Sequence, residues 1–252
     1  FSTIRTIRGV LRPAFQLAVD DDLIRKNPFS FELATVIYND SVTREALSRE
    51  EERKFMNFVK DDKYFTKYYD GIYILFNTGL RISEFVGLTK SDIDFKNMKI
   101  NVDHQLLRDT DIGYYVETPK TKKGIRQIPM SEEVYQALRR VLKNRSNAAP
   151  FSIEGYKNFL FLKNDGMPKV AANYESMLKG LVKKYNKQNK EQLPNITPHI
   201  LRHTFCTRLA NAGMNPKALQ YIMGHANITM TLNYYAHATY DSAKAEMERL
   251  AA

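Results

Sequence analysis

The chain has 252 residues, enough for one large domain or two smaller ones, and 43% of them are hydrophobic, which allows a sizeable core. Its 38 basic and 28 acidic residues leave a net charge of +10, which favours a polyanionic partner, although a basic protein with an ordinary solvated surface has the same balance. The single cysteine, Cys206, excludes an intramolecular disulfide framework and fits a reducing cytoplasm. No apolar run reaches the roughly 18 residues of a membrane span, and no signal peptide opens the chain.

The opening stretch FSTIRTIRGVLRPAFQLAVDDDLI has apolar residues at helical spacing, and we predict that Pro13 interrupts this helix. The chain begins with Phe1 rather than Met and already fits the middle of a helix, so we expect the natural N-terminus to be missing. Between Ser30 and Arg44 the pattern weakens, which indicates a linker. The predicted organisation is a first helical domain at 1–38, a linker at 39–47 and a second domain at 48–252.

Helix boundaries in the second domain follow from capping patterns. In SREE, Ser48 and Glu51 have the spacing of a capping box. The apolar segment FTKYYDGIYILFNTG closes on Gly79, the usual residue for a left-handed cap. Later helices are predicted in SEEVYQALRRVL, NYESMLKGLVKKYNK and NPKALQYIMGH, and Thr197 and Gly213 bound another in TPHILRHTFCTRLANAG.

Between these helical stretches lie three short segments rich in β-formers, KNMKINVD, GYYVETP and GIRQIPM. They predict a small antiparallel sheet in which PKTKKG is a basic hairpin turn. The predicted fold class is therefore mainly α with a small antiparallel β-sheet. A lysine cluster at such a turn is usually solvated or contacts phosphates nonspecifically, but a lysine carried into a closed site can donate a proton.

Two helical segments carry candidate site residues. His199 and His203 lie four apart, as in some zinc sites, but no third ligand is close in sequence. His199 and Arg202 lie three apart on one helical face, where imidazole and guanidinium together could hold phosphate oxygens. Arg81 follows a helix end, and Glu84 lies one turn later, which is typical of either a structural ion pair or a held catalytic arginine.

The order of these motifs carries more information than any one of them. R-x-S-E, a basic turn, H-x-x-R, G-H and Y-x-H together resemble the tyrosine recombinases, the phage-type integrase family. The segments GLRISEFVGL, KTKKGIRQIP, TPHILRHTFCTRLANAG and IMGHANITMTLNYYAH look most like integrases of Gram-positive phages and conjugative transposons. The resemblance runs from about Arg44 to the end, and VLRPAFQLAVDDDLIRKNPF is similar to the last part of the family's core-binding domain.

The resemblance implies a reaction in which a tyrosine attacks a DNA phosphate and forms a 3′-phosphotyrosyl link, so that mobile-element DNA is cut, exchanged and rejoined. It implies no metal and no cofactor. By position, it assigns Arg81 and Arg202 to the phosphate, His199 and His225 to proton transfer or hydrogen bonding, and Lys120 to the protonation of the leaving 5′-oxygen. Lys122 is the alternative lysine, and Glu84 supports Arg81.

Two adjacent tyrosines compete for the role of nucleophile. Many members place it nine residues after the G-H histidine, which selects Tyr234, whereas members that read T-L-D-x-Y-S-H have one more residue. TLNYYAH fits the second pattern and selects Tyr235, with Tyr234 as the alternative. Neighbouring helical residues point about 100° apart, so we expect only one of the two to face the phosphate.

The resemblance also implies partners. These are double-stranded DNA, further copies of the chain and an optional accessory excision protein. The copies are expected to form a dimer or synaptic tetramer joined by a C-terminal helix at about 239–252. The expected location is the nucleoid in the bacterial cytoplasm, with no membrane partner. Whether that helix docks in cis or in trans stays open. The alternatives are a type IB topoisomerase-like enzyme that relaxes DNA, a non-catalytic DNA-binding protein and, least favoured, a metal-dependent nuclease that uses His199 and His203.

Overall fold

The computed structural model describes residues 1–38, 45–119, 121–145, 151–235 and 247–248. It forms two compact units, Phe1–Arg44 and Glu45–Ala252. Among the described residues, no helix is long and apolar enough to cross a bilayer. The assignment of the first unit to a core-binding domain stays a prediction, and the predicted C-terminal helix at about 239–252 lies outside the described residues apart from 247–248.

The first unit contains a long helix, α1 (Ser2–Asp20), and a short one, α2 (Leu33–Val36). The prediction that Pro13 interrupts the first helix was wrong, because α1 continues through it. A proline removes only one N–H from the helical ladder, and here the bonds on either side keep the helix intact. The Asn27 side chain donates to the Arg12 carbonyl at 2.9 Å and so ties the segment after α1 back to the helix.

The second unit opens with α3 (Arg49–Asp61), and the predicted capping box is confirmed: Ser48 Oγ accepts from the Glu51 N–H at 3.2 Å, and the Glu51 carboxylate accepts from the Ser48 N–H at 2.7 Å. Next comes α4 (Tyr69–Thr78), which ends on Gly79 at φ 64°, as predicted. A Cβ on Gly79 would lie 2.5 Å from the Phe205 ring, so both the backbone angle and the packing require glycine.

After the short helix α5 (Ile82–Gly87), the chain forms two antiparallel sheets rather than one. The first sheet has the order β1 (Ile93–Asp94), β2 (Lys99–Val102) and β5 (Arg126–Pro129). The second is a hairpin of β3 (Gln105–Asp109) and β4 (Gly113–Glu117). The predicted basic hairpin turn was therefore wrong: PKTKKG connects the β3–β4 hairpin to β5 in the other sheet, because β4 already pairs with β3.

The remaining helices of the described chain are α6 (Glu132–Lys143), α7 (Ala171–Gln188), α8 (Pro198–Asn211), α9 (Pro216–Met223) and α10 (Thr229–Leu232), followed by a 3₁₀ turn at Asn233–Tyr235. The predicted start of α8 is confirmed, since Thr197 Oγ1 accepts from the Ile200 N–H at 3.3 Å. The helix α4 packs against both α6 and α8.

Two groups of buried side chains hold this unit together. The larger group includes residues of α3 to α8 and of the three-stranded sheet. The smaller group consists of Phe205, Cys206, Ala210, Leu219 and Met223 from α8 and α9, and Tyr234 and Tyr235 pack against it. Because Gly79 touches Phe205 and Met223, the end of α4 is fixed beside this smaller group, where the candidate site residues meet.

Candidate active site

The C-terminal end of α9 is the centre of the candidate site. Three consecutive main-chain carbonyls there accept hydrogen bonds from guanidinium groups on three different elements. The acceptors are Ile222, Met223 and Gly224, and their donors are Arg126 Nε at 2.6 Å, Arg202 Nη2 and Arg81 Nη2 at 3.1 Å, in that order. The last carbonyls of a helix lack intrahelical partners and carry its negative dipole end, so three cations satisfy and stabilise this end.

Arg81 stands at the start of α5, just beyond the glycine cap of α4. Its Nη1 donates to Glu84 Oε1 at 2.8 Å, and its main-chain N–H donates to Glu84 Oε2 at 2.9 Å. The carboxylate therefore holds both the backbone and the side chain of Arg81, rather than forming a bidentate pair with the guanidinium alone. Its side chain is 40% exposed, so part of its guanidinium faces solvent.

Arg126 on β5 is the partner that sequence reasoning missed. It forms the bidentate pair with Glu84, donating from Nη1 to Oε1 at 3.1 Å and from Nη2 to Oε2 at 2.8 Å. Burial alone would raise the pKa of Glu84, but the bonds and charge of Arg126 and the charge of Arg81 outweigh burial and lower it to about 2. Strand alternation was the available signal: Arg126 and Ile128 lie two apart in RQIP and both are buried, whereas the residues between and after them are exposed.

Arg202 lies in the first half of α8 and is almost fully buried. Besides the Met223 carbonyl it donates through Nη1 to the carbonyl of Gly79, and so links the end of α4 to the end of α9. Burial and the nearby charge of Arg81 lower the pKa of Arg202 to about 10, which still leaves it charged at neutral pH. A guanidinium has five N–H donors, so groups remain that could bind an anion.

His225 follows the three carbonyls directly and is 5% exposed. Its Nδ1 lies 2.9 Å from Thr231 Oγ1 in α10, which is itself buried. Burial and the positive charges of Arg202, Arg81 and Arg126 lower the pKa of His225 to about 4. The ring is therefore neutral at physiological pH.

His199 lies in the first turn of α8, on its exposed surface, three residues before Arg202. The predicted general acid, Lys120, lies outside the described residues, as does the side chain of the alternative, Lys122. The described part of their connection touches the site at Lys123, whose Nζ donates to the carbonyl of Ala226 at 2.8 Å. The structure therefore brings Arg81, Arg202, His225 and Glu84 together, and the role of each stays a prediction.

The two tyrosines take different positions in the 3₁₀ turn that ends the described segment. The Tyr234 ring lies parallel to His225 within 15° at 6.4 Å between centroids, and 4.9 Å from the ring of His203. The Tyr235 hydroxyl instead donates to the carbonyl of Met214, between α8 and α9. Burial raises the pKa of both phenols, so neither is prepared for deprotonation in this arrangement.

Metal ligands do not assemble around His199 and His203 in the part of the chain that the structure describes. The one group of three potential ligands found there is Asp92, Asp103 and His104. His104 already uses Nδ1 with Asp103 at 2.5 Å and Nε2 with the Gly87 carbonyl at 2.8 Å, which is the pattern of a structural histidine. The cations fixed at the α9 end can instead stabilise a negatively charged group.

Comparison with known proteins agrees with this chemistry. The model of the Phage integrase family matches residues 45–242. The chain is 62% identical over 250 residues to the transposase from transposon Tn916 of Enterococcus faecalis, covering 99% of this chain and 62% of that protein. It is 27% identical over 254 residues to a tyrosine recombinase XerC-like protein of Caldanaerobacter subterraneus subsp. tengcongensis, covering 93% of this chain and 62% of that protein. The chain thus spans 62% of the length of these curated relatives.

Solved structures match equally well. The Tn1549 transposon integrase in complex with transposon right end DNA has a TM-score of 0.93 at 60% identity, covering 100% of this chain and 80% of that one. The same integrase in complex with a circular intermediate DNA also has a TM-score of 0.93, at 59% identity over 99% of this chain and 79% of that one.

Proposed function

This chain belongs to the phage integrase family, and on that premise we propose that it is a site-specific DNA recombinase. It cleaves and rejoins DNA strands through a 3′-phosphotyrosyl intermediate, and so integrates and excises a mobile element. The observation that carries the proposal is the junction of Arg81, Arg202 and His225 at the end of α9, one short helix before two tyrosines. That arrangement has what phosphoryl transfer from DNA needs: fixed positive charge next to a weak nucleophile.

Arg81 and Arg202 form what we call the arginine clamp, which acts on the charge of the phosphate. Arg81 and Arg202 bind the non-bridging oxygens and stabilise the extra negative charge of the pentavalent transition state. Because their guanidiniums are already bonded to protein carbonyls and to Glu84, little reorganisation is needed when DNA binds. His225 is neutral in this arrangement and still carries one ring N–H, so it can donate a hydrogen bond to a phosphate oxygen without being protonated.

The chemical step is a transesterification without metal. The tyrosine oxygen forms a bond with phosphorus, the bond from phosphorus to the 5′-oxygen breaks, and the leaving oxygen takes a proton from Lys120. The phenolic proton passes to a base, for which His199 on the exposed start of α8 is the candidate. Reversal by the 5′-hydroxyl of a partner strand rejoins the DNA and conserves the bond energy.

Tyr235 is the proposed nucleophile. The Tn1549 integrase has been solved with an arginine replaced by lysine and, in another complex, with a tyrosine replaced by phenylalanine. The number of positions between those two residues equals the number between Arg81 and Tyr235, and it is one more than the number between Arg81 and Tyr234. To react, Tyr235 must give up its bond to the Met214 carbonyl and turn toward Arg202.

The partners belong to the same proposal. Double-stranded DNA at the ends of the element is the substrate, and the net charge of +10 makes binding salt-dependent. The proposal also includes self-association on DNA through the C-terminal helix, an optional accessory excision protein and a cytoplasmic, nucleoid-associated location.

Covalent trapping tests the mechanism. A nicked duplex from the element's end, incubated in EDTA, should yield a protein–DNA adduct with the parent and with Tyr234→Phe, and none with Tyr235→Phe. Loss of the adduct with Tyr234→Phe alone would keep the mechanism but transfer the role of nucleophile to Tyr234. No adduct from the parent, as this chain and extended to the length of its relatives, would leave a DNA-binding protein without catalysis. A parent that relaxes supercoiled DNA but recombines no paired sites would instead be a topoisomerase.

A further inference from the structure

Arg126 is the most enclosed charged group of the site, and nothing in the proposed chemistry uses it. Its side chain has no exposed surface. All three of its nitrogens donate to protein groups: to both oxygens of Glu84, to the Ile222 carbonyl at 2.6 Å and to the Gly124 carbonyl at 3.0 Å. A group so enclosed cannot touch DNA, so any effect it has on the reaction passes through the residues it holds.

Those residues belong to three separate parts of the site. Glu84 holds Arg81 in α5, and Ile222 belongs to the last turn of α9, next to the carbonyls that Arg202 and Arg81 use. Gly124 lies at the end of the basic connection between β4 and β5. Among the described side chains, Arg126 is the one that bonds to α5, to α9 and to this connection at once.

The end of the basic connection is packed tightly against the same place. Lys123 donates to the Ala226 carbonyl, one residue beyond His225. A Cβ on Gly124 would lie 2.3 Å from the Pro119 Cβ, so the two ends of the connection touch. A Cβ on Gly224 would meet Arg126 Nη1 at 3.0 Å and the Lys123 carbonyl at 3.2 Å. The connection therefore has a fixed anchor on α9, formed by Arg126 and Lys123.

From this geometry we propose that Arg126 is a positioning residue: it fixes the described ends of the basic connection, at Pro119, Lys123 and Gly124, relative to the arginine clamp. Protonation of the leaving 5′-oxygen, the role proposed for Lys120 in this connection, therefore depends on Arg126. The inference rests on the proposed function. A second route exists, because Arg126 also neutralises Glu84, and an unneutralised carboxylate would compete with phosphate for Arg81. The first route affects the bond from phosphorus to the leaving 5′-oxygen, whereas the second affects binding of the non-bridging oxygens by Arg81. An experiment can therefore separate them.

The separating reagent is a DNA duplex whose scissile 5′-bridging oxygen is replaced by sulfur. A thiol has a pKa of about 8.5 and is a far stronger acid than an alcohol, so a thiolate leaves without help from a general acid. A defect in leaving-group protonation therefore disappears on the sulfur substrate. A defect in the clamp, or in folding, persists on both substrates, because the non-bridging oxygens are unchanged.

The experiment compares single-turnover cleavage by the parent, Arg126→Lys and Lys120→Ala on the oxygen and sulfur duplexes, with Arg139→Lys on the exposed face of α6 as the matched control. Lysine keeps the charge but loses the bidentate bond and the reach to Gly124. The cleavage rate of Arg126→Lys should be at least about tenfold below that of the parent on the oxygen duplex and within about threefold of it on the sulfur duplex. Lys120→Ala should show the same pattern on both duplexes. Arg139→Lys should match the parent on both.

Equal slowing of Arg126→Lys on the two substrates, or no slowing on oxygen, overturns the inference. If Arg126→Lys does not give the parent's circular dichroism spectrum, Lys123→Met decides, because it removes the Ala226 tie from an exposed side chain. Lys123→Met should cleave the oxygen duplex more slowly than the parent, by a smaller factor than Arg126→Lys, and should cleave the sulfur duplex about as fast as the parent. If it cleaves the oxygen duplex as fast as the parent, the inference is overturned. Failure of the parent to cleave either duplex counts against the proposed function instead.

Discussion

The two halves of the candidate site are built in opposite ways. At the end of α9, each guanidinium is bonded to main-chain carbonyls or to Glu84, and Arg126 and Arg202 are buried. In the following segment, Thr229–Tyr235, the described chain forms only a short helix and a 3₁₀ turn, and Tyr235 is half-buried and bonded to a distant carbonyl. One direct side-chain bond between them, His225 to Thr231, appears in the described structure.

The contrast is between positive charges that are fixed in advance and a tyrosine that is not yet in position to react. In the proposed reaction, the charges that stabilise the transition state are in place before DNA binds, because positioning them during the reaction would cost much of their benefit. The phenol is not: its pKa is raised and its hydroxyl is bonded elsewhere. In the proposed recombination, a preformed clamp with a separate nucleophile delays cleavage until Tyr235 leaves the Met214 carbonyl and turns toward Arg202.

The largest predicted effect concerns Glu84, the one carboxylate that the described structure places between Arg81 and Arg126. Glu84→Gln keeps the shape but leaves the buried Arg126 without a countercharge, and should lower the free energy of unfolding by about 3–5 kcal/mol. Urea denaturation followed by circular dichroism measures it. Glu50→Gln, which breaks an exposed pair with Lys54, is the control and should have no measurable effect. A loss below about 1 kcal/mol would mean that the clamp is not held electrostatically.

A smaller effect is expected from His225 on acidification. Its folded pKa is about 4, below the ordinary value of about 6.5, so between these pH values the unfolded chain binds the proton and the folded chain does not. The free energy of unfolding should therefore fall as the pH drops from about 6.5 to about 4, by at most about 3 kcal/mol from this group. Stability measured across this range should fall less steeply in His225→Gln. Identical pH profiles for the two proteins would contradict the neutral, buried state of His225.

The smallest effect is predicted for Tyr235, the proposed nucleophile. Tyr235→Phe removes one hydrogen bond at a half-buried position and should change the free energy of unfolding by less than about 1 kcal/mol. The same urea denaturation, with the exposed Tyr64→Phe as the control, gives the number. A loss above about 2 kcal/mol would show that the tyrosine segment is as firmly fixed as the clamp and would remove the contrast.

Local rules predicted the helix boundaries well, because caps depend on neighbours in sequence. The capping box at Ser48, the left-handed Gly79 and the start of α8 at Thr197 are all of this kind. The pairing of β4 depends on a partner strand, β3, whose sequence QLLRD does not alternate between apolar and polar residues, and so the hairpin was assigned to the wrong neighbour.

The same distinction between contacts of sequence neighbours and contacts of distant residues applies to the site. Arg81 and Glu84 lie three residues apart, so their contact could be predicted from helical spacing. Arg126 meets Glu84 across 42 positions of the chain, and only the packing of β5 against α5 and α9 brings them together. The direction of the Tyr235 hydroxyl depends on tertiary packing in the same way, since Met214 lies 21 positions away.

The end of α9 also constrains how this protein can evolve. The three arginines bond to main-chain carbonyls, which every amino acid has, so a substitution at Ile222 leaves its acceptor in place as long as the backbone is kept. Gly224 is different, because its φ is 60° and a Cβ there would meet Arg126 Nη1 at 3.0 Å. An insertion or deletion has no such tolerance: one residue more or less turns the helix by about 100° and shifts it by about 1.5 Å. All three acceptors would then move away from their donors together. We therefore expect the length of α9 to vary less during evolution than its amino-acid sequence.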